Sequence, residues 1–143
     1  NGKKPTIYQA NNQKERIRLL LNEIEITRKN HPYWRLAIIG KTNAECQALY
    51  DALDEKNQEK IQLITSEEDY MKRPVMIIPA FLAKGLEFDG VFAWDIGDNF
   101  STPQDRLILY TIATRAMHEL TVFVPEQKSP FLKNLTTEMA DYK

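Results

Sequence analysis

Short apolar runs of strand length alternate along this chain with segments whose apolar residues recur at helical spacing. That alternation leaves few folds open. Leu36–Ile39, Val75–Ile78, Val91–Trp94 and Leu120–Val124 are nearly continuous apolar runs, the pattern of strands covered on both faces rather than one. Shorter strand candidates are Thr6–Tyr8 and Ile61–Thr65. Between Lys14 and Lys29, Ile17, Leu20, Leu21 and Ile24 share one helix face, and His31-Pro32 ends that helix. Thr42 with Glu45 forms a capping box for a helix that turns Leu49, Ala52 and Leu53 inward. Ser101-Thr102-Pro103, with Asp105 completing the cap, starts a helix expected to run to about Met117. Strands alternating with helices predict an α/β domain, its mostly parallel sheet covered by helices on both faces. Ile38, Ile77, Phe92 and Val122 are then expected to be buried in the strands.

At 143 residues, with no repeat, low-complexity tract or linker, residues 1–143 read as one domain. No window holds the roughly eighteen apolar residues of a membrane span, and NGKKPTIYQA has no apolar signal-peptide core. The lone Cys46 excludes an internal disulfide or a multi-cysteine metal site, and a cytoplasmic location is expected. Lysine and arginine total 19 against 20 acids. A surface that grips nucleic acid unaided usually carries a basic excess, so any such contact is expected to be local or shared.

Three segments carry candidate chemistry. Gly40-Lys41-Thr42 follows a strand and opens a helix, like the tail of a phosphate-binding loop. Such a loop needs a glycine five residues before its last glycine. Arg35 stands there, and Leu36–Ile39 is strand. Thr42 is therefore a helix cap and the P-loop is absent. The second segment is Ala83-Lys84-Gly85-Leu86-Glu87-Phe88-Asp89-Gly90-Val91, and the third is Leu109-Tyr110-Thr111-Ile112-Ala113-Thr114-Arg115-Ala116. Read alone, the second is a polar turn and Arg115 a solvated residue near a helix end.

Together and in this order, the two resemble motifs V and VI of UvrD/Rep-type superfamily 1 helicases. The resemblance extends from about residue 5 to residue 125 and takes in LAIIGKTNAECQALYDAL. Pro79-Ala80-Phe81-Leu82, ahead of motif V, looks closest to the HelD-like branch. The resemblance implies the second, C-terminal RecA-like domain of a longer protein: a three-layer, P-loop NTPase-type fold without the P-loop.

In that family ATP lies between two RecA-like domains, with Mg2+ and the phosphate loop held by the N-terminal one. Arg115 is then the catalytic arginine finger, its permanent charge and forked donors suited to phosphate oxygens. Glu87 is expected to contact the nucleotide through a ribose hydroxyl. Lys84 and Gly85 shape the motif V loop near the phosphates or the nucleic acid. Tyr110 and Thr114 are expected to pack and orient the helix. The family motif has Thr and His where this chain has Pro79 and Phe81. Proline lacks an amide donor and phenylalanine cannot bond phosphate, although Phe81 can stack on a base. The implied function is that of an ATP-dependent DNA helicase or translocase acting on single-stranded nucleic acid, and the isolated domain is expected to be inactive. The alternatives are an ATPase that remodels or releases RNA polymerase and a non-catalytic RecA-like binding module.

Overall fold

The computed structural model describes residues 4–133. Six strands form one sheet: β1 (Thr6–Gln9), β2 (Leu36–Gly40), β3 (Ile61–Leu63), β4 (Val75–Pro79), β5 (Phe88–Ala93) and β6 (Ala116–Val124). Their order is β1-β6-β5-β2-β4-β3, and every pairing between them is parallel. The helices are α1 (Gln13–Asn30), α2 (Asn43–Asp51), α3 (Glu55–Lys60), α4 (Ala80–Ala83) and α5 (Pro103–Ala113). A parallel sheet must hide both faces, and the side-chain alternation of β2 and β4 shows how. Leu36, Ile38, Val75 and Ile77 face Ile17, Leu20 and Ile24 of α1 and Cys46 and Leu49 of α2. Ala37, Ile39, Met76 and Ile78 face Ala80 and Ala83 of α4 and Leu109 and Ile112 of α5. Ile38, Ile77, Phe92 and Val122 are all buried, as their sequence pattern requires.

Several boundaries differ from the sequence expectation, each for a physical reason. Strand β5 begins at Phe88, so Gly90 lies inside a strand rather than in a turn. An added Cβ there would meet Leu36 Cδ2 at 2.8 Å. Thr42 caps α2, accepting from the Glu45 amide, but the reciprocal half of the box is missing. The Glu45 carboxylate turns instead to Asn99 Nδ2, at 3.4 Å. Ala52 is the exposed C-cap of α2 rather than a core residue, while Leu49 and Leu53 are buried. Helix α3 escapes a periodicity search because it buries no residue. Helix α5 has the full box between Thr102 and Asp105 and Pro103 in its first turn, yet stops at Ala113, not Met117. Ala116 pairs with Phe88 in the sheet, which takes the chain out of the helix.

The pairing shifts register between Phe88 and Gly90, where the single residue Asp89 of β5 stands opposite two residues of β6, Met117 and His118. Alternation counted back from Phe92 would place Phe88 on the α1/α2 face. Phe88 instead packs fully buried among the α4/α5 residues, at the point where the pairing with β6 is irregular.

Candidate functional site

All strands point the same way, so the sheet has one amino-terminal and one carboxyl-terminal edge. Arg115 lies at the amino-terminal edge. The last turn of a helix leaves backbone carbonyls without partners, and here Thr114 and Arg115 supply the missing donors. Thr114 Oγ1 lies 3.0 Å from the Tyr110 carbonyl and 3.1 Å from that of Thr111. Arg115 Nε donates to the Thr111 carbonyl at 3.1 Å, and its Nη2 donates to Thr114 Oγ1 at 3.2 Å. Its Nη1 reaches across to the Leu86 carbonyl at 3.1 Å. The Arg115 carbonyl also accepts from the Phe88 amide at 2.9 Å. The two motifs, 29 residues apart in sequence, are thereby joined at Leu86 and Phe88, on either side of Glu87.

Lys84 is the C-cap of α4, and Gly85 follows with φ +85. An added Cβ at Gly85 would meet nothing within 4 Å. Conformation, not space, therefore favours glycine in this turn. Lys84, Gly85 and Glu87 are exposed, and Lys84 and Glu87 make no hydrogen bond or ion pair within the described residues. Phe81, 61% exposed, sits in the first turn of α4 just beyond the carboxyl-terminal end of β4. The structure thus brings Arg115 and Glu87 together and leaves Phe81 toward the other edge. Lys84, three residues on from Phe81, lies between them.

The Gly40-Lys41-Thr42 segment occupies the carboxyl-terminal edge where β2 and β5 adjoin. Its connections leave toward opposite faces, the usual ligand crevice of an open parallel sheet. Here the protein fills that crevice with its own groups. Lys41 Nζ pairs with Asp105 Oδ1 at 2.8 Å, donates to the Asn99 carbonyl, and lies 5.1 Å from the centre of the Phe100 ring. Gly40 is required by packing, since a Cβ would meet Cys46 Sγ at 2.8 Å. The lysine is a structural cation, and Thr42 is a cap, as the missing upstream glycine implied.

The Lys41 ammonium, followed by the amides of Thr102 and Ser101, holds the Asp105 carboxyl well below the usual carboxylate range. A depressed folded-state pKa stabilises the fold above the unfolded value of about 3.9. That stabilisation disappears as the pH falls below it towards the folded-state pKa. Asp105→Asn is therefore expected to lower the denaturation midpoint at pH 7 and to flatten its decline between pH 4 and pH 2. Denaturant titrations of both proteins across that range test this; parallel acid profiles would show that Asp105 does not carry the linkage. Burial pushes the neighbouring Glu45 carboxyl up, with one of its oxygens left without a partner.

A second cluster at the amino-terminal edge had no sequence signal. His31 stacks on Trp34 with ring centres 3.6 Å apart, and Trp34 on His118 at 5.2 Å. Asp89 accepts from the Arg35 amide at 2.8 Å and lies 3.6 Å from His118. The Arg35 guanidinium lies 5.6 Å from the centre of the Phe88 ring. These residues come from three separate stretches of chain, so no local motif could announce them.

An all-parallel sheet covered by helices on both faces, with no phosphate loop among the described residues, defines an α/β domain of the RecA-like kind. Residues 74–123 match the family model of the UvrD-like helicase C-terminal domain. The crystal structure of the C-terminal domain of a possible DNA helicase from Lactobacillus plantarum WCFS1 is similar over nearly the whole chain. Identity is 35% and the TM-score 0.83, over 97% of this chain and 84% of that one. The chain belongs to the UvrD-like helicase C-terminal domains. An ADP-bound Cas3 from T. fusca shares the fold, with 20% identity, a TM-score of 0.55, and 89% of this chain against 19% of that one. No curated protein matches the chain. Among the described residues no helix is long and apolar enough to cross a membrane.

Proposed function

We propose that this domain completes the ATP site of a DNA helicase or translocase whose N-terminal RecA-like domain carries the phosphate loop and Mg2+. The observation that carries the reading is the junction of motifs V and VI, where Arg115 bonds the Leu86 carbonyl beside Glu87. The residues suit a nucleotide in two respects. The Glu87 carboxylate is exposed and unpartnered among the described residues, so it can accept from a ribose hydroxyl. Arg115 commits three of the five donors a guanidinium has and retains two for phosphate oxygens. When bound, ATP supplies the cleavable phosphoanhydride. Arg115 stabilises charge building on the transferring phosphoryl group, while Glu87 and the Gly85 turn orient the nucleoside. No group of three or more His, Cys, Asp or Glu among the described residues could hold a metal, and the reading gives Mg2+ to the other domain. Phe81 offers an exposed ring on which a base of single-stranded nucleic acid can stack, and Lys84 a nearby cation.

Glu87→Ala in the helicase carrying this domain is expected to weaken ATP binding about tenfold. Single-turnover hydrolysis at saturation should remain close to normal, because a ribose contact is alike in ground and transition states. Equilibrium binding of a fluorescent ATP analogue measures the first, and rapid-quench hydrolysis the second. Unchanged affinity would remove Glu87 from the nucleotide site.

A further inference from the structure

We propose that Thr114 is the positioning residue for Arg115, and that through Arg115 the Leu86–Phe88 turn and the end of α5 act as one rigid unit. This rests on the ATP-site reading above and specifies how that site is held ready. A guanidinium is planar, and here three of its N–H groups meet three acceptors: the Thr111 carbonyl, Thr114 Oγ1 and the Leu86 carbonyl. Three fixed acceptors define both the plane and the rotation of the group. Arginine ordinarily loses much rotamer freedom on binding a ligand; here that loss is met on folding, which is what preorganisation means.

Two of the three acceptors are backbone carbonyls and are present whatever the side chains are. The hydroxyl of Thr114 is the one acceptor supplied by a side chain. Its single proton points back to the carbonyls of Tyr110 or Thr111, at 3.0 and 3.1 Å. A lone pair is thereby left facing Arg115. Residue 115 also grips the facing turn twice, through its side chain to Leu86 and its carbonyl to Phe88. Glu87 lies between those two anchors. A change that lets the guanidinium swing away therefore also loosens the backbone that presents Glu87.

Two measurements test this. In the 143-residue chain, NMR of the Arg115 Nε–H should show a slowly exchanging proton, and Thr114→Val should speed that exchange at least tenfold without lowering the melting temperature appreciably. In the full helicase, Thr114→Val should slow single-turnover ATP hydrolysis about tenfold, the size of one hydrogen bond to a charged group. ATP affinity should stay within about twofold. Thr114→Ser should restore both readouts, since it returns the hydroxyl, and Thr114→Ala serves as the second hydroxyl-less variant if valine disturbs folding. In an Arg115→Ala background the Thr114 change should add nothing. Wild-type exchange and hydrolysis in the hydroxyl-less variants, beside an inactive Arg115→Ala, overturn the positioning role and leave the ATP-site reading standing. An undiminished Thr114 effect without Arg115 overturns it as well. Near-normal hydrolysis by Arg115→Ala overturns the parent reading and this one together.

Discussion

Arg115→Ala, made in the helicase that carries this domain, is expected to lower the rate of ATP hydrolysis by about a thousandfold or more. ATP affinity should fall far less. The difference follows from when the interaction forms: a finger acts on charge that develops only as the phosphoryl group transfers, so its loss appears in kcat. The modest loss of affinity has its own source, since Arg115 also holds the Leu86 carbonyl beside Glu87. Arg115→Lys should recover little. An ammonium cannot meet three acceptors in one plane and still fork onto a phosphate. Equilibrium nucleotide binding and single-turnover hydrolysis on the same preparations separate the two effects. Hydrolysis within a fewfold of wild type, in a protein that melts normally, would mean that motif VI has no catalytic part here.

Phe88→Ala is expected to cost about 3–5 kcal/mol of folding stability, the range for emptying a buried aromatic site. Phe88 is fully buried on the α4/α5 face, its amide is tied to the Arg115 carbonyl, and its ring lies beneath Arg35. The cavity would open directly beside the turn that carries Glu87. Leu107→Ala is the matched control, because Leu107 is 68% exposed and its loss should change stability by less than about 0.5 kcal/mol. Urea unfolding of the three chains, read by tryptophan fluorescence, gives both values. A Phe88→Ala cost no larger than that of the control would show that this ring does not anchor the core on the α4/α5 face.

The two predictions draw on different levels of the molecule. The arginine was visible in the sequence because LYTIATRA, a run of neighbouring residues, resembles a helicase motif. Phe88 was visible within the segment that resembles motif V, but its direction was not. Period-two alternation assigns it to the α1/α2 face, yet it packs on the other, beside the irregular pairing of β5 with β6. Such pairing depends on the partner strand, and β6 lies more than twenty residues further along the chain.

Local forces settled what the sequence alone determined. Apolar runs marked the buried strands, Thr42 and Thr102 marked helix starts through their own amide bonds, and the missing upstream glycine ruled out a phosphate loop. Tertiary structure decided the rest, because those outcomes depend on groups distant in sequence. The pairing of Ala116 with Phe88 ends α5 at Ala113, where continued helical spacing had pointed to Met117. Asn99 draws the Glu45 carboxylate out of its capping box across 54 residues. Asp105, legible only as a cap, also neutralises Lys41 in the crevice where a phosphate loop would lie. Arg115, legible as a charge near a helix end, has its guanidinium aimed by a carbonyl 29 residues away. Spacing along the chain carries information about neighbours within a turn or a pleat; which distant carbonyl meets which guanidinium is set only when the sheet closes.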